Sequence, residues 1–137
     1  MAYQLSFKTV YDYDMQAVDI NLPIVLRSGT IAWEAEAKLD PGSTFCVFQR
    51  LIGEELGFDI ELGIPQWIGS VRGSFLAYGH EATLEVLGIE TTATVYFAVE
   101  ESFPVNVLGR VGWLDRVRLG LIDYDGRLYL SAYDDPA

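Results

Sequence analysis

The sequence predicts an all-β fold, because apolar and polar residues alternate, strand-favouring residues are plentiful, and glycine-containing turns separate the alternating runs. The alternation is clearest over residues 3–7, 33–38 and 92–97. Such a period of two is typical of strands, whose side chains point alternately to the two faces of a sheet. The predicted turns are Ser28-Gly29, Pro41-Gly42, Tyr78-Gly79, Leu87-Gly88 and Asp125-Gly126.

Three further elements follow from local patterns. Residues 118–124 and 127–133 flank an Asp-Gly turn and predict a hairpin near the C-terminus. Residues 49–56 end at Gly57 and predict a short helix with a glycine stop. Residues 110–117 carry apolar positions at helical spacing and predict a second helix.

Length and charge limit the functions that the chain can have. Its 137 residues predict a single domain with a core of its own. Nine basic and 20 acidic residues give a net charge of −11, which disfavours binding to nucleic acid or to anionic membranes. A single cysteine, and an N-terminus without a basic stretch followed by an apolar core, predict a cytoplasmic protein.

The segment Asp40-Pro41-Gly42-Ser43, here called the Asp40 loop, is the strongest candidate for chemistry. Taken locally it predicts a β-turn, in which Pro fixes φ and Gly42 permits a positive φ. An apolar strand precedes Asp40, and Phe45, Val47 and Phe48 follow it. A carboxyl group between two core segments is partly desolvated, which suits acid/base work. If the protein is an enzyme, we expect Asp40 to carry its chemistry.

Three segments in order resemble the retropepsin-like aspartic peptidases, a family of retroviral-protease-like chains. The family has Asp-Thr/Ser-Gly-Ala/Ser at the end of a strand, which the Asp40 loop matches at the acid, the glycine and Ser43. A glycine-bearing hairpin, called the flap, comes next in the family, and residues 68–78 match it. A hydrophobic-hydrophobic-Gly element then precedes a short helix, as residues 107–109 do. The match covers about residues 19–130.

The resemblance implies a closed or partly open acid-protease β-barrel with a flap hairpin and one or two short helices, in one domain spanning residues 1–137. It implies that Asp40 is catalytic within its loop. The flap residues that would bind substrate are Ser70, Val71, Arg72, Gly73 and Ser74. The residues that would support the Asp40 loop are Val107, Leu108 and Gly109.

The implied mechanism uses two aspartates that share one proton, since two like charges so close cannot both ionise. The chain has one such loop, so a dyad requires a homodimer in which each subunit contributes Asp40. The implied substrate is an extended polypeptide, to which Gly42 permits close approach and over which the flaps close. No cofactor and no metal ion is implied.

Pro41 departs from the family pattern and supports a second hypothesis. The family's Thr or Ser braces the two active-site loops across the dimer with its hydroxyl and N–H, and Pro has neither group. The chain is then a catalytically weak or inactive peptide-binding or assembly module of the same fold. A third hypothesis is an unrelated small β-barrel or sandwich in which the Asp40 loop is only a turn.

Other chemistry-bearing residues favour structural roles. His80 is the only histidine, so a metal site or Ser-His catalysis would lack partners, and we interpret it as a polar residue of the surface or hairpin. Cys46 lies between apolar residues with no basic neighbour and is predicted to be a buried small hydrophobe. The pairs Asp12/Asp14 and Asp123/Asp125 lack calcium-loop spacing and are interpreted as turn and surface charges.

Overall fold

A computed structural model describes residues 1–136, and their order is almost entirely strand after strand. The ten strands are β1 Thr9–Asp12, β2 Asn21–Ser28, β3 Ile31–Leu39, β4 Val47–Phe48, β5 Ile64–Ser70, β6 Gly73–Val86, β7 Ile89–Ala98, β8 Val107–Leu108, β9 Val117–Ile122 and β10 Arg127–Ala132. One α-helix, α1, spans Arg50–Glu55. Single 3₁₀ turns occur at Ile60–Leu62, Leu114–Arg116 and Asp123–Asp125.

The larger sheet closes on itself as a barrel. Its strands run in the order β2-β3-β8-β4-β7-β6-β5, and β2 also pairs with β6. That extra pairing joins the ends of the row β2-β3-β8-β4-β7-β6 and leaves β5 outside the closed ring, paired only with β6. Because closure removes free edges from the ring, the backbone N–H and C=O groups of its strands pair with those of neighbouring strands.

The barrel core follows from the predicted alternation. In β2, Leu22, Ile24 and Leu26 are buried while the residues between them are not. In β7, Ala93, Val95 and Phe97 are buried on the same principle. The main cluster also includes the fully buried Trp113 and residues of β10, so the smaller sheet, β1-β10-β9, shares this core.

Short-range signals identified several elements correctly. The helix predicted at 49–56 is confirmed as α1, and the C-terminal hairpin as β9 and β10. The Leu87-Gly88 turn is confirmed between β6 and β7, where both residues have positive φ, 51° and 83°. Two-residue turns of this kind match the twist of the strands they join.

Three local predictions are wrong: the strand at 3–7, the turn at Tyr78-Gly79 and the helix at 110–117. Residues 3–7 alternate but form no strand, and the first strand begins at Thr9, so Tyr3 and Leu5 are exposed. Tyr78-Gly79 is no turn: Gly79 lies inside β6, where a Cβ atom would meet the ring of Tyr96 at 2.9 Å. Glycine fits at position 79 because the Tyr96 ring packs closely against the backbone there, and glycines inside strands often mark such close contacts.

The predicted second helix at 110–117 is also wrong. Only the 3₁₀ turn Leu114–Arg116 forms, and Gly112 has φ of 99°, outside the helical region. The N–H of Gly112 donates instead to Asp115 Oδ1 at 3.0 Å. Of the apolar residues that indicated a helix, Val111 is exposed, whereas Leu114 and Val117 are partly buried against the core.

Candidate active site

The Asp40 loop begins where β3 ends, and backbone hydrogen bonds hold it in place. The N–H of Asp40 donates to the carbonyl of Leu108 at 3.0 Å, and that of Ser43 donates to the carbonyl of Asp40 at 3.0 Å, which closes a β-turn. The N–H of Gly42 donates to Asp40 Oδ1 at 3.0 Å, so the carboxylate also caps its own turn. The turn does not use the positive φ that Gly42 permits, because the φ of Gly42 lies outside that region.

Gly109 lies directly against this loop. A Cβ atom at Gly109 would be 2.1 Å from the carbonyl oxygen of Phe45 and 2.8 Å from that of Ser43. Contacts under about 3 Å between such atoms do not occur, so no other residue fits here without moving the backbone. The next two N–H groups donate to loop carbonyls, Arg110 to Ser43 at 2.9 Å and Val111 to Thr44 at 2.8 Å. The two segments are therefore docked backbone to backbone.

Cys46 is buried beneath this junction, as predicted. Its sulfur accepts the N–H of Gly109 at 3.4 Å, a contact that further ties the Asp40 loop to the 107–109 segment. Burial raises the pKa of the Cys46 thiol to about 11, against which the Gly109 hydrogen bond acts more weakly. A thiol so protonated and enclosed is not a nucleophile at neutral pH.

The hairpin of β5 and β6 carries the predicted flap residues at its tip. Ser70 pairs with Gly73, and Val71 and Arg72 form the exposed two-residue connection. Gly73 has φ of 115°, and the hydroxyl of Ser70 donates to the Gly73 carbonyl at 2.8 Å. Positive φ at this position explains the glycine of the turn.

A small apolar cluster packs against the middle of this hairpin. Ile68 and Ala77 of the hairpin pack with Val47 and Ala98 in a buried group separate from the barrel core. Phe75 lies 4.9 Å from Phe103, measured between ring centroids. The hairpin is thus anchored through Ile68, Phe75 and Ala77, whereas its tip is exposed to solvent.

A cavity of about 490 Å³ lies between the Asp40 loop and the hairpin. Its lining comes from the end of β3, the Asp40 loop, the hairpin and the segment that leads into β8, and comprises Lys38, Asp40, Gly42, Ser43, Thr44, Phe45, Val47, Ile68, Gly69, Ser70, Val71, Phe75, Phe103, Val105 and Val107. Asp40 is half-buried in this wall. A mostly apolar cleft with a few polar groups is typical of a ligand site.

The predicted residues divide between this cavity and its surroundings. Asp40, Gly42, Ser43, Ser70, Val71 and Val107 line it, whereas Arg72, Gly73, Ser74, Leu108 and Gly109 do not. Pro41 is exposed, and the hydroxyl of Ser43 donates to the Phe45 carbonyl at 2.8 Å. The loop's one hydroxyl is thus engaged within its own chain.

Sequence reasoning missed Lys38 and the aromatic and aliphatic wall. Lys38 had a usable signal, since it precedes Asp40 by two positions in a strand and such residues share a face. Phe103 and Val105 had none, because they lie in a connection that only the tertiary structure brings to the cavity.

The remaining candidates serve packing and surface charge. His80 lies in β6 and is half-buried rather than at the surface, with Nε2 2.9 Å from the Ile60 carbonyl oxygen and its ring against Phe58. Asp12 pairs with Arg127, and Asp123 accepts the hydroxyl of Tyr13. Within residues 1–136, no three His, Cys, Asp or Glu side chains are grouped as metal ligands would be. No helix in that range has the length and apolarity needed to cross a membrane.

No protein-family model and no curated protein sequence matches the chain. Among solved structures, it is similar to EIAV protease complexed with the inhibitor HBY-793, with a TM-score of 0.55 and 19% sequence identity. The alignment covers 72% of this chain and 86% of that one. At this identity the likeness concerns the fold alone. The protein therefore has the all-β, retropepsin-like barrel fold of a retroviral protease.

Proposed function

We propose that the protein is an aspartic endopeptidase whose catalytic carboxyl is Asp40. The observation that carries the proposal is that Asp40 lines a cavity of about 490 Å³ between its own loop and the β5-β6 hairpin. The fold shared with a retroviral protease supports it. The cavity has room for a few residues of an extended chain, and its apolar wall suits peptide side chains.

The chemistry requires a second carboxyl, which we propose comes from Asp40 of a second copy. One ionised Asp40 accepts a proton from water as the water oxygen bonds to the scissile carbonyl carbon, and the protonated Asp40 of the other copy donates to the carbonyl oxygen. The resulting diol collapses as the C–N bond breaks: the leaving nitrogen takes the proton from the first Asp40, and the second Asp40 accepts a proton from a diol hydroxyl. The products are a carboxylic acid and an amine.

A homodimer needs surface through which two chains can meet, and the smaller sheet offers some. Its outer strands are β1 and β9, and each has an unpaired edge within the described residues. Val10, Leu121 and Ile122 on these strands are exposed. Unpaired edges with apolar side chains favour association with another chain.

The test is cleavage of an unstructured protein from about pH 4 to 7, with Asp40→Asn as the matched control. We expect cleavage that favours mildly acid pH, because a shared-proton dyad needs one carboxyl protonated. Asp40→Asn should reduce the rate by a factor on the order of 10³ or more, since it removes the base. Equal activity in the two proteins would exclude Asp40 as the catalyst.

Pro41 favours a second candidate, a peptide-binding or assembly module without catalysis. Position 41 offers no N–H and no hydroxyl to brace a second Asp40 loop, and the Ser43 hydroxyl is already bonded within the chain. Peptide binding by a stable monomer, without Asp40-dependent cleavage, would favour this candidate. Light scattering at high protein concentration, beside the cleavage assay, distinguishes the two.

A further inference from the structure

Lys38 is the one cationic side chain among the residues that line the Asp40 cavity. Asp40 is the one acidic residue there, and the remaining lining is apolar, small or hydroxyl-bearing. A half-buried lysine typically lays its methylene groups along apolar surface and keeps its ammonium group in contact with water. Lys38 therefore brings one positive charge to the wall that holds Asp40.

The strand fixes how Lys38 stands relative to Asp40. Lys38 precedes Asp40 by two residues, and its backbone is held on both sides, by pairing with Asn21 of β2 and by donation of its N–H to the Asn106 carbonyl at 2.9 Å. Residues two apart in a strand share a face and lie about 7 Å from each other along it. That separation is about two residues of an extended peptide.

Lys38 has no carboxylate partner of its own. Within residues 1–136, no Asp or Glu oxygen lies within 4.0 Å of its ammonium group, and the neighbouring cavity residues bring only Asp40 as an acid. Lys38 as a residue is half-buried, and it lines the cavity together with Asp40. The ammonium group is therefore available to a carboxylate that enters the cavity.

We propose that Lys38 makes the site selective for peptides that carry an acidic side chain one or two residues from the bond at Asp40. This inference rests on the proposed function, because it names the substrate class of that same site. This selectivity acts only near Lys38. The chain as a whole has a net charge of −11, and its electrostatic field repels acidic peptides. An acidic group is then accepted at one position and disfavoured elsewhere along the peptide.

The first experiment maps the bonds cut in an unstructured protein by mass spectrometry, and then compares three peptides of the best site that carry Glu, Gln or Lys at the preferred position. We expect the parent to cleave the Glu peptide about tenfold faster than the Gln peptide in kcat/KM, as a partly buried charge-assisted bond provides. Lys38→Gln should abolish the difference, and Lys38→Glu should favour the Lys peptide. Lys8→Gln changes net charge equally at an exposed position and should keep the parent preference.

The second experiment measures binding without cleavage. Fluorescent versions of the three peptides, each about ten residues long to span the cavity, are titrated by anisotropy into Asp40→Asn and into Asp40→Asn with Lys38→Gln. Tighter binding of the Glu peptide by Asp40→Asn alone supports the inference, even if the parent never cleaves, in which case only the proposed function fails. The role of Lys38 is overturned if Asp40-dependent cleavage is equally fast for all three peptides, or if all three bind equally. The endopeptidase proposal stands in either case.

Discussion

At the scale of single residues, strand periodicity links the two charged groups of the cavity. Asp40 and Lys38 lie on one face of the chain because they are two positions apart at the end of β3. Pro41, which follows Asp40, is exposed and has no N–H to offer. Asp40 and Lys38 thus line the same wall of the cavity. Pro41 bears instead on the proposed dimer, because it has no N–H or hydroxyl with which to brace a second Asp40 loop.

Cys46 gives a pH-dependent prediction at the residue scale. Its thiol loses a proton near pH 9 in the unfolded chain, whereas burial raises the pKa to about 11 in the folded state. Between these values the unfolded state binds fewer protons, so the free energy of unfolding falls as pH rises. We expect a loss of about 2–3 kcal/mol between pH 8.5 and 11, measured by urea denaturation.

Cys46→Ala is the control for this prediction, because it removes the titrating group and leaves every other one. The variant should be less stable than the parent at pH 8, owing to the lost packing and the lost contact with Gly109. The gap between the two proteins should then narrow as pH rises. A gap that stays constant to pH 11 would show that the thiol titrates alike in both states.

At the scale of elements, the Asp40 loop is positioned by the segment that follows β8. Gly109 permits the contact, since a Cβ atom there would be 2.1 Å from the Phe45 carbonyl oxygen. Asn106 joins the same region to two others: its side-chain oxygen accepts the N–H of Gln49 at 2.9 Å, and its amide donates to the Glu36 carbonyl at 3.0 Å. The start of α1, the end of β3 and β8 are therefore held together at one edge of the site.

Gly109→Ala should separate these elements. The obstructing atoms are backbone, so the loop must move as a unit, and we expect the free energy of unfolding to fall by about 3 kcal/mol or more. Thermal and urea denaturation measure the loss, and Asp40-dependent activity should fall with it. Gly69→Ala is the matched control for stability alone, because nothing lies within 4 Å of a Cβ atom there, although Gly69 lines the cavity. Similar losses in the two variants would contradict a specific role for Gly109.

The element scale also marks a limit of sequence patterns. Helical spacing over 110–117 indicated a helix, yet the N–H groups of Arg110 and Val111 donate to the carbonyls of Ser43 and Thr44, and Val111 forms a β-bridge with Phe45. Tyr78-Gly79 indicated a turn, yet Gly79 serves the approach of Tyr96 within β6. In both cases a tertiary contact outweighed a local preference worth only about 1 kcal/mol.

At the scale of the whole molecule, charge governs self-association. Each chain has a net charge of −11, so two copies repel each other over the screening length of the solvent. Salt shortens that length from about 30 Å at 0.01 M to about 3 Å at 1 M. The proposed dimer should therefore form more readily as ionic strength rises.

We expect the dissociation constant of the dimer to fall at least several-fold between about 0.05 and 0.5 M sodium chloride, with cleavage per chain rising in parallel. Sedimentation velocity over a concentration series measures the constant. Glu55→Gln, which removes one exposed charge on α1 outside the cavity, should shift it in the same direction by a smaller amount. Dissociation promoted by salt would indicate that complementary charges dominate the interface instead.

The sequence by itself determined the all-β class, the helix at 49–56, the C-terminal hairpin and the β-turn of the Asp40 loop, because these depend on periodicity and turn chemistry over a few neighbouring residues. Only the tertiary structure decided that β2 pairs with β6 to close the barrel, that residues 110–117 are irregular, and that Phe103 and Val105 reach the cavity. Those features depend on contacts between segments far apart in the chain, whose energies a local pattern does not contain.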